Sequence, residues 1–125
     1  MSDALILFAH GAREARWAEP FEAIAARVRQ ADPGRPVELA FLELMTPDLA
    51  GAAQRVAAAG ATRIDVVPLF LGAGGHLRQD LPPLVDRLRQ AHPGLDIRLH
   101  AAIGENEAVI AAIADAALAA TRFGE

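Results

Sequence analysis

Four short apolar runs alternate along the chain with four stretches of helical periodicity, and this alternation constrains the fold more strongly than any other feature of the sequence. The first and third runs are nearly continuous in apolar character, which is typical of central parallel strands that are covered on both faces. The runs are ALILFA (4–9), VELAFL (37–42), IDVVPLFL (64–71) and IRLHAAI (97–103). The sequence therefore predicts the element order βαβαβαβα.

Apolar residues follow each run at the spacing of an amphipathic helix. They are Phe21, Ile24, Ala25 and Val28; Leu49, Ala52, Ala53 and Val56; Leu81, Leu84, Leu88 and Ala91; and Ile110, Ile113, Ala114 and Ala117. Proline is tolerated in the first turn of a helix, where its missing N–H costs nothing. In this prediction the first turns contain Pro20, Pro47, Pro82 and Pro83. Thr46 would then be the N-cap of the second helix.

An alternation of strands and helices builds a parallel sheet with right-handed crossovers and helices on both faces. We predict an α/β fold with a single doubly wound, flavodoxin-like, four-stranded parallel sheet in the order 2-1-3-4. The 125 residues suffice for one hydrophobic core, so we expect a single domain over residues 1–125. Ligands of such sheets bind beyond the carboxyl ends of the strands, where the winding reverses between the first and third strands.

Composition excludes several classes of function. The net charge is −4, and the twelve arginines, with no lysine, are scattered, so the sequence lacks the basic patch that a nucleic-acid binder needs. The absence of cysteine excludes disulfides, thiolate metal sites and cysteine nucleophiles. The first residues, MSDALILFAHGA, combine no basic region with only a short apolar run. We therefore expect neither a signal peptide nor a membrane span, and a cytoplasmic protein.

Three chemically reactive side chains fall where predicted strands end. His10 follows the first strand, Glu43 follows the second, and His76 lies in the predicted loop after the third. Because parallel strands end at one edge of the sheet, we expect the three to converge. Two imidazoles and a carboxylate suit a divalent first-row metal such as Co²⁺, Fe²⁺ or Ni²⁺, with coordination positions left open. Histidine binds metal only when neutral, so binding should weaken below about pH 6.

These residues also have plainer interpretations. A single histidine is usually a surface or hydrogen-bonded residue, and this is our interpretation of His92 and His100. Glu43 could cap the following helix. The glycines of GAGGH (72–76) either supply positive φ in a loop or let a ligand approach the backbone closely. This segment lacks the G-x-G-x-x-G spacing and the lysine of phosphate-binding loops, so it predicts no nucleotide site.

The motifs at the three strand ends are HGARE, then FLEL followed by Pro47, then PLFLGAGGHLRQDLP. With them the chain resembles the CbiX/SirB group of class II tetrapyrrole chelatases, from about Leu5 to Gly104. Its length is similar to the short CbiX form, in which one chain corresponds to half of a full-length chelatase, a half-domain, and two chains form a homodimer. Ala12 stands where many relatives carry Ser, and GENEA (104–108) departs from the usual fourth-strand exit. These departures affect the shape expected of the pocket more than the reaction.

The resemblance implies a lyase that inserts Co²⁺, or Fe²⁺ in the sirohaem branch, into sirohydrochlorin, with no permanently bound cofactor and the metal as a substrate. It implies that His10 is a metal ligand and the base that receives a pyrrole proton, and that His76 is the second metal ligand. Glu43 would assist proton transfer or metal delivery. The wall against the macrocycle would comprise Leu71, Gly72, Ala73, Gly74, Gly75 and His76, with Thr46 opposite.

Metallation requires groups that accept pyrrole protons and a surface that holds metal and macrocycle together, and these residue types supply both. The macrocycle also carries several carboxylates. Arg13, Arg16 and Arg78 flank the two histidine loops, and the arginine fork matches carboxylate geometry. Each of the three is equally well explained as an ordinary solvated arginine.

Three other functions remain open from the residues alone. A metal-carrier module could use His10 and His76 without catalysis. A flavodoxin-like cofactor binder fits the topology, although the chain has no tyrosine and no Ser/Thr-rich phosphate loop. A phosphoacceptor domain would need an acidic cluster at the end of the first strand, and Asp3 lies at its start.

Overall fold

The computed structural model describes residues 3–72 and 74–122, apart from the side chain of His76. Strands and helices alternate as predicted. They are β1 (Asp3–Ala9), α1 (Glu19–Ala31), β2 (Val37–Phe41), α2 (Leu49–Ala58), β3 (Arg63–Pro68), α3 (Gly75–Ala91), β4 (Asp96–Leu99) and α4 (Glu107–Arg122). Two short 3₁₀ turns, Ala15–Ala18 and Ile103–Glu105, precede α1 and α4. None of these described helices is long and apolar enough to cross a membrane.

The four strands form one parallel sheet in the order β2-β1-β3-β4, which confirms the predicted α/β class and strand order. Leu7 in β1 is in register with Leu39 on one side and with Val67 on the other. β1 and β3 therefore occupy the centre of the sheet, which explains why their sequences are almost continuously apolar. Their carboxyl ends emerge side by side, at the reversal of the winding.

Alternate residues of the strands face two separate cores. Ile6 and Phe8 of β1 belong to the core beneath α2 and α3, where both are fully buried. Leu7 and Ala9 belong to the core beneath α1. α4 follows β4 and contacts the rest of the domain mainly through the turn Ile103–Glu105. Two helices thus cover the first face, whereas α1 is the main cover of the second.

α2 begins at Leu49, so the prediction that Pro47 opens this helix behind a Thr46 cap is wrong. Asp48 is the N-cap, and its Oδ1 accepts the backbone N–H three residues later at 2.8 Å. Pro47 lies in the loop before the helix, where its carbonyl accepts the N–H of Phe41 at 2.9 Å. The stronger capping side chain therefore sets the start of the helix, and the loop folds back onto the end of β2.

α3 begins at Gly75, earlier than predicted, so His76 lies in the first turn of a helix and not in a loop. Pro82 and Pro83 consequently lie in the helix interior, whereas Pro20 occupies the first turn of α1 as predicted. An interior proline removes a helical hydrogen bond. The apolar face of α3 packs against the sheet and offsets this cost. The buried residues of that face are Leu81, Val85 and Leu88.

Candidate functional site

His10 and Glu43 meet at the carboxyl ends of β1 and β2. The parallel pairing continues past the strands, since the N–H of Leu42 donates to Ala9 O at 2.9 Å and the N–H of Glu43 donates to His10 O at 3.1 Å. His10 Nε2 lies 3.4 Å from Glu43 Oε2, and the two side chains are 47% and 54% exposed. The prediction that these side chains converge is therefore confirmed, and both remain accessible from solvent.

Gly11 allows the two strand ends to approach this closely. Its φ is +95°, and a Cβ on this residue would stand 1.9 Å from the carbonyl oxygen of Glu43. Leu44, on the other side of Glu43, also has a positive φ of 67°, which is uncommon for a residue with a side chain. The loop after β1 and the loop after β2 thus each contain a residue with a positive φ next to the His10–Glu43 pair. Residue 11 has no space for a side chain.

Phe70 connects His10 to the third strand end. The rings of His10 and Phe70 have centroids 6.2 Å apart in an edge-on arrangement, and Phe70 is buried. The segment is held by backbone bonds from Leu69 N–H to Phe8 O at 2.8 Å and from Gly104 N–H to Phe70 O at 2.9 Å. Sequence reasoning missed Phe70, although an aromatic residue near the carboxyl end of the third apolar run was a usable signal.

The third strand end leads through an exposed segment into α3. Leu71 is 70% exposed, Gly72 is exposed, and Gly74 is the N-cap that precedes Gly75. Ala73 and the side chain of His76 lie outside the described residues. The structure therefore locates the backbone of His76, in the first turn of α3, at the same edge as His10 and Glu43.

The glycines of this segment are not explained by the conformation or packing of the chain. None of Gly72, Gly74 and Gly75 has a φ in the left-handed region, so the positive-φ interpretation is wrong for them. A Cβ added at any of the three would meet nothing within 4 Å. The space in front of these residues is open, as it is at Gly34 and Gly94, so the backbone of this segment is accessible to a ligand.

The predicted arginines lie around this edge. Arg13 is exposed in the loop after β1, and Arg16 lines a cavity of about 790 Å³ beside Trp17. Arg78 is in α3, with Nη2 3.8 Å from Glu105 Oε2. Thr46 lines a different cavity, of about 340 Å³, whose described lining includes none of the other predicted site residues.

Asp65 is the one buried charged side chain among the described residues, and sequence reasoning did not identify it. Its carboxylate lies 3.0 Å from Arg35 Nη2, 3.1 Å from Arg63 Nη2 and 2.8 Å from His100 Nε2. Burial opposes ionisation, but the hydrogen bonds from His100 and Arg63 outweigh it and hold the pKa of Asp65 below its ordinary value. The interpretation of His100 as a hydrogen-bonded residue is confirmed.

A metal ion at this edge would need more than the described side chains supply. The described side chains do not include that of His76. Among them, no three His, Asp or Glu residues lie close enough together to hold a metal ion. His10 and Glu43 form a pair with one imidazole and one carboxylate. An imidazole and a carboxylate are donor types that divalent first-row metals accept, but these two groups alone are not a complete ligand set.

Comparisons with known proteins agree with this fold and site. The family model for CbiX matches residues 4–120. The crystal structure of the CbiX protein from Marinobacter aquaeolei is similar with a TM-score of 0.86 and 38% identity, covering 96% of this chain and 98% of that one. SirB from Bacillus subtilis subspecies spizizenii, solved in complex with cobalt, is similar with a TM-score of 0.71 and 30% identity, covering 86% of this chain and 46% of that one.

Curated relatives carry two activities in their names. The sirohydrochlorin cobaltochelatase of Methanopyrus kandleri is 34% identical over 66% of this chain and 57% of its own length. The sirohydrochlorin ferrochelatase of Bacillus subtilis is 32% identical over 90% of this chain and 43% of its own length. The chain thus spans about half the length of the curated relatives it matches. Because the CbiX family model matches nearly the whole sequence, the chain belongs to the CbiX family.

Proposed function

We propose that this protein inserts Co²⁺ or Fe²⁺ into sirohydrochlorin, as a metal chelatase of the lyase class. The observation that carries the proposal is the His10–Glu43 pair, half exposed at the carboxyl edge of the sheet beside the open glycine segment. Relatives named as sirohydrochlorin cobaltochelatase and ferrochelatase support the choice of substrate. The metal is a substrate of this reaction, and no permanently bound cofactor is part of the proposal.

The reaction requires two pyrrole N–H bonds to break as nitrogen–metal bonds form, while the hydrated metal loses water. His10 and His76 would hold the metal through neutral imidazole nitrogens. The carboxylate of Glu43, next to His10, would accept the two protons released at the macrocycle one after the other and pass each of them to solvent. Since His10 and Glu43 are both accessible, a proton that reaches them has a path to water.

The open segment Leu71–His76 would receive the flat macrocycle. Its described glycines have no neighbours where side chains would be, so a planar ring can lie against the backbone there. Arg13, Arg16 and Arg78 surround the same edge and would pair with the carboxylates of the macrocycle. Holding metal and ring on one surface makes their encounter effectively intramolecular, which lowers the barrier to metallation.

The protein would act as a homodimer in the cytoplasm. The chain covers 98% of the CbiX protein of Marinobacter aquaeolei and 46% of SirB, and in this proposal a second copy supplies the surface that the remainder of SirB provides there. The chain has no cysteine, so it forms no disulfide and needs no oxidising compartment.

An anaerobic assay tests the proposed function. Purified protein is mixed with sirohydrochlorin and with Co²⁺, Fe²⁺ or Ni²⁺ in turn, and the absorbance of the macrocycle is followed. We expect catalysed metallation with Co²⁺ or Fe²⁺ and a slower reaction or none with Ni²⁺. Stoichiometric binding of Co²⁺ without any acceleration of metallation would mean that the chain carries metal and does not insert it.

A further inference from the structure

The ring of Phe70 lies against both Phe8 and His10, which follow each other on one side of the first strand. Phe8 and His10 are two positions apart, so their side chains share a face of the sheet. The centroid of the Phe70 ring is 6.2 Å from that of Phe8 and 6.2 Å from that of His10. Phe8 is fully buried and Phe70 is 7% exposed, whereas the His10 side chain is 47% exposed. Phe70 is thus the part of the core against which the imidazole lies.

The backbone on both sides of Phe70 is held by hydrogen bonds. The N–H of Leu69 donates to Phe8 O at 2.8 Å, and the N–H of Gly104 donates to Phe70 O at 2.9 Å. Gly104 also packs directly on the next residue, because a Cβ on it would overlap the carbonyl group and the Cα of Leu71. The turn that precedes α4 therefore fixes the segment that carries the Phe70 ring.

The imidazole of His10 has a second partner in Glu43, which restrains it less. Glu43 Oε2 is 3.4 Å from His10 Nε2, but the Glu43 side chain is 54% exposed, and water competes for polar contacts between exposed groups. A buried ring that packs on two sides keeps one conformation. An edge-on contact between rings at 6.2 Å is also a favourable aromatic geometry. Phe70 is therefore the more rigid of the two restraints.

We propose that Phe70 is a positioning residue for His10, that its ring holds the imidazole in one orientation with Nε2 toward Glu43, and that Gly104 holds Phe70 in place. This inference rests on the proposed role of His10 as a metal ligand and names the residues that orient it. A histidine that is free to turn loses rotational freedom when it binds metal, which weakens binding. Residues that orient such a ligand thus change metal affinity without touching the metal.

NMR of the metal-free wild type measures the orientation of His10 directly. Three-bond couplings of its Hβ protons show whether χ1 has one value or an average, and NOEs between the rings of His10 and Phe70 report their contact. We expect the couplings of a single rotamer and ring-to-ring NOEs. Couplings that are averaged over rotamers in the folded wild type would overturn the proposal, whatever the variants do.

Phe70→Leu and Phe8→Leu are a matched pair of variants. Each removes one ring from the same core, and Phe8 is the more deeply buried of the two, but it is the Phe70 ring that lies against His10. We expect the Kd for Co²⁺, measured without the macrocycle and well below both unfolding temperatures, to rise about fivefold or more in Phe70→Leu and less than about twofold in Phe8→Leu. The His10 couplings should become averaged in Phe70→Leu alone.

Equal changes of Kd in the two variants would mean that lost core packing is responsible, and would overturn the proposal. If Phe70→Leu does not fold, Phe70→Met takes its place, since methionine keeps most of the apolar volume without a flat ring.

A double substitution shows whether Phe70 acts through His10. In the His10→Ala background, Phe70→Leu should change the Kd for Co²⁺ less than about twofold, because no imidazole remains to be oriented. A further fivefold loss would mean that Phe70 acts on another part of the site, and the proposal would be wrong. If His10→Ala itself leaves this Kd unchanged, the proposed metal-binding role of His10 fails, and the His10 couplings still decide whether Phe70 orients the ring.

Gly104→Ala tests the support of Phe70 from a residue on another loop. Its Cβ would displace Leu71, and Phe70 with it, so we expect averaged His10 couplings and a rise in the Kd for Co²⁺ of about the size seen in Phe70→Leu. Gly34→Ala is the control, because its Cβ meets nothing within 4 Å, and it should change neither quantity. Wild-type couplings and Kd in a folded Gly104→Ala would show that Gly104 does not hold Phe70, and that part of the proposal would be wrong.

Discussion

His10 Nε2 lies 3.4 Å from Glu43 Oε2, and the two residues are joined through their backbones by the Glu43 N–H to His10 O bond of 3.1 Å. The side-chain contact therefore follows from the pairing of β1 with β2 and needs no ligand to form. A carboxylate in this position can orient the imidazole, and it can also receive a proton. The pair is preorganised by the sheet itself.

Alanine at either histidine should abolish most metal insertion and leave the fold intact. We expect His10→Ala and His76→Ala each to lose at least about 10²-fold in the rate of cobalt insertion, since each removes a ligand or base. Half exposure of His10 means that its truncation opens no core cavity. His92→Ala, at the C-cap of α3, is the matched control and should retain full turnover. Near wild-type rates for either site variant would remove that histidine from the mechanism.

Replacing Glu43 by glutamine separates proton transfer from metal binding. Glu43→Gln keeps the shape of the side chain but loses the acceptor charge beside His10. We expect kcat to fall about 10²-fold while the Kd for Co²⁺, measured without the macrocycle, changes little. If the metal Kd rises as much as kcat falls, Glu43 is a metal ligand and not a proton acceptor.

Gly11→Ala should destabilise the protein through its effect on the neighbouring loop. The new Cβ would meet the carbonyl of Glu43 at 1.9 Å, and alanine disfavours a φ of +95°. We expect the free energy of unfolding in urea to fall by about 1–3 kcal/mol. Gly34→Ala is the control, because its Cβ meets nothing within 4 Å, and it should change stability by less than about 0.5 kcal/mol.

A large side chain at Gly75 should obstruct the macrocycle and nothing else. Space is open there, so Gly75→Leu is expected to leave the Tm unchanged. KM for sirohydrochlorin should rise about tenfold or more, because the ring can no longer lie against the backbone, while the Kd for Co²⁺ stays the same. Gly94→Leu, which also meets open space but lies between α3 and β4, should alter neither quantity. An unchanged KM in Gly75→Leu would place the macrocycle elsewhere.

The element order and strand order were predictable because burial leaves a strong trace in sequence. β1 and β3 are covered on both faces, so their runs are almost entirely apolar, and the helices keep a 3.6-residue period. The start of α3 was not predictable, because glycine and proline both disfavour helix locally and only packing of the finished fold outweighs them. The positions of His10 and Glu43 followed directly from the strand ends.

Contacts between residues that are far apart in the sequence could not be predicted from local sequence patterns. Phe70 touches His10 only because β3 lies beside β1 in the assembled sheet. Asp65 is joined to Arg35 and His100, which are 30 and 35 residues away in sequence. A lone carboxylate within the apolar run of the third strand was the available signal, since a buried charge requires partners.

Asp65 should make the stability of the protein sensitive to acid. Its pKa is lowered in the folded protein, so it contributes stability above the unfolded value of about 3.9, and this contribution disappears as pH falls through the folded pKa. At pH 7 Asp65→Asn should cost about 2 kcal/mol, because the hydrogen bonds from its charged partners are lost. The difference in unfolding free energy between wild type and Asp65→Asn should shrink as pH falls below about 4 in urea titrations.

Asp86→Asn removes the exposed partner of Arg89 and should cost less than about 1 kcal/mol at either pH. A cost for Asp65→Asn that is the same at pH 7 and at pH 3 would mean that the charge of Asp65 contributes nothing to stability.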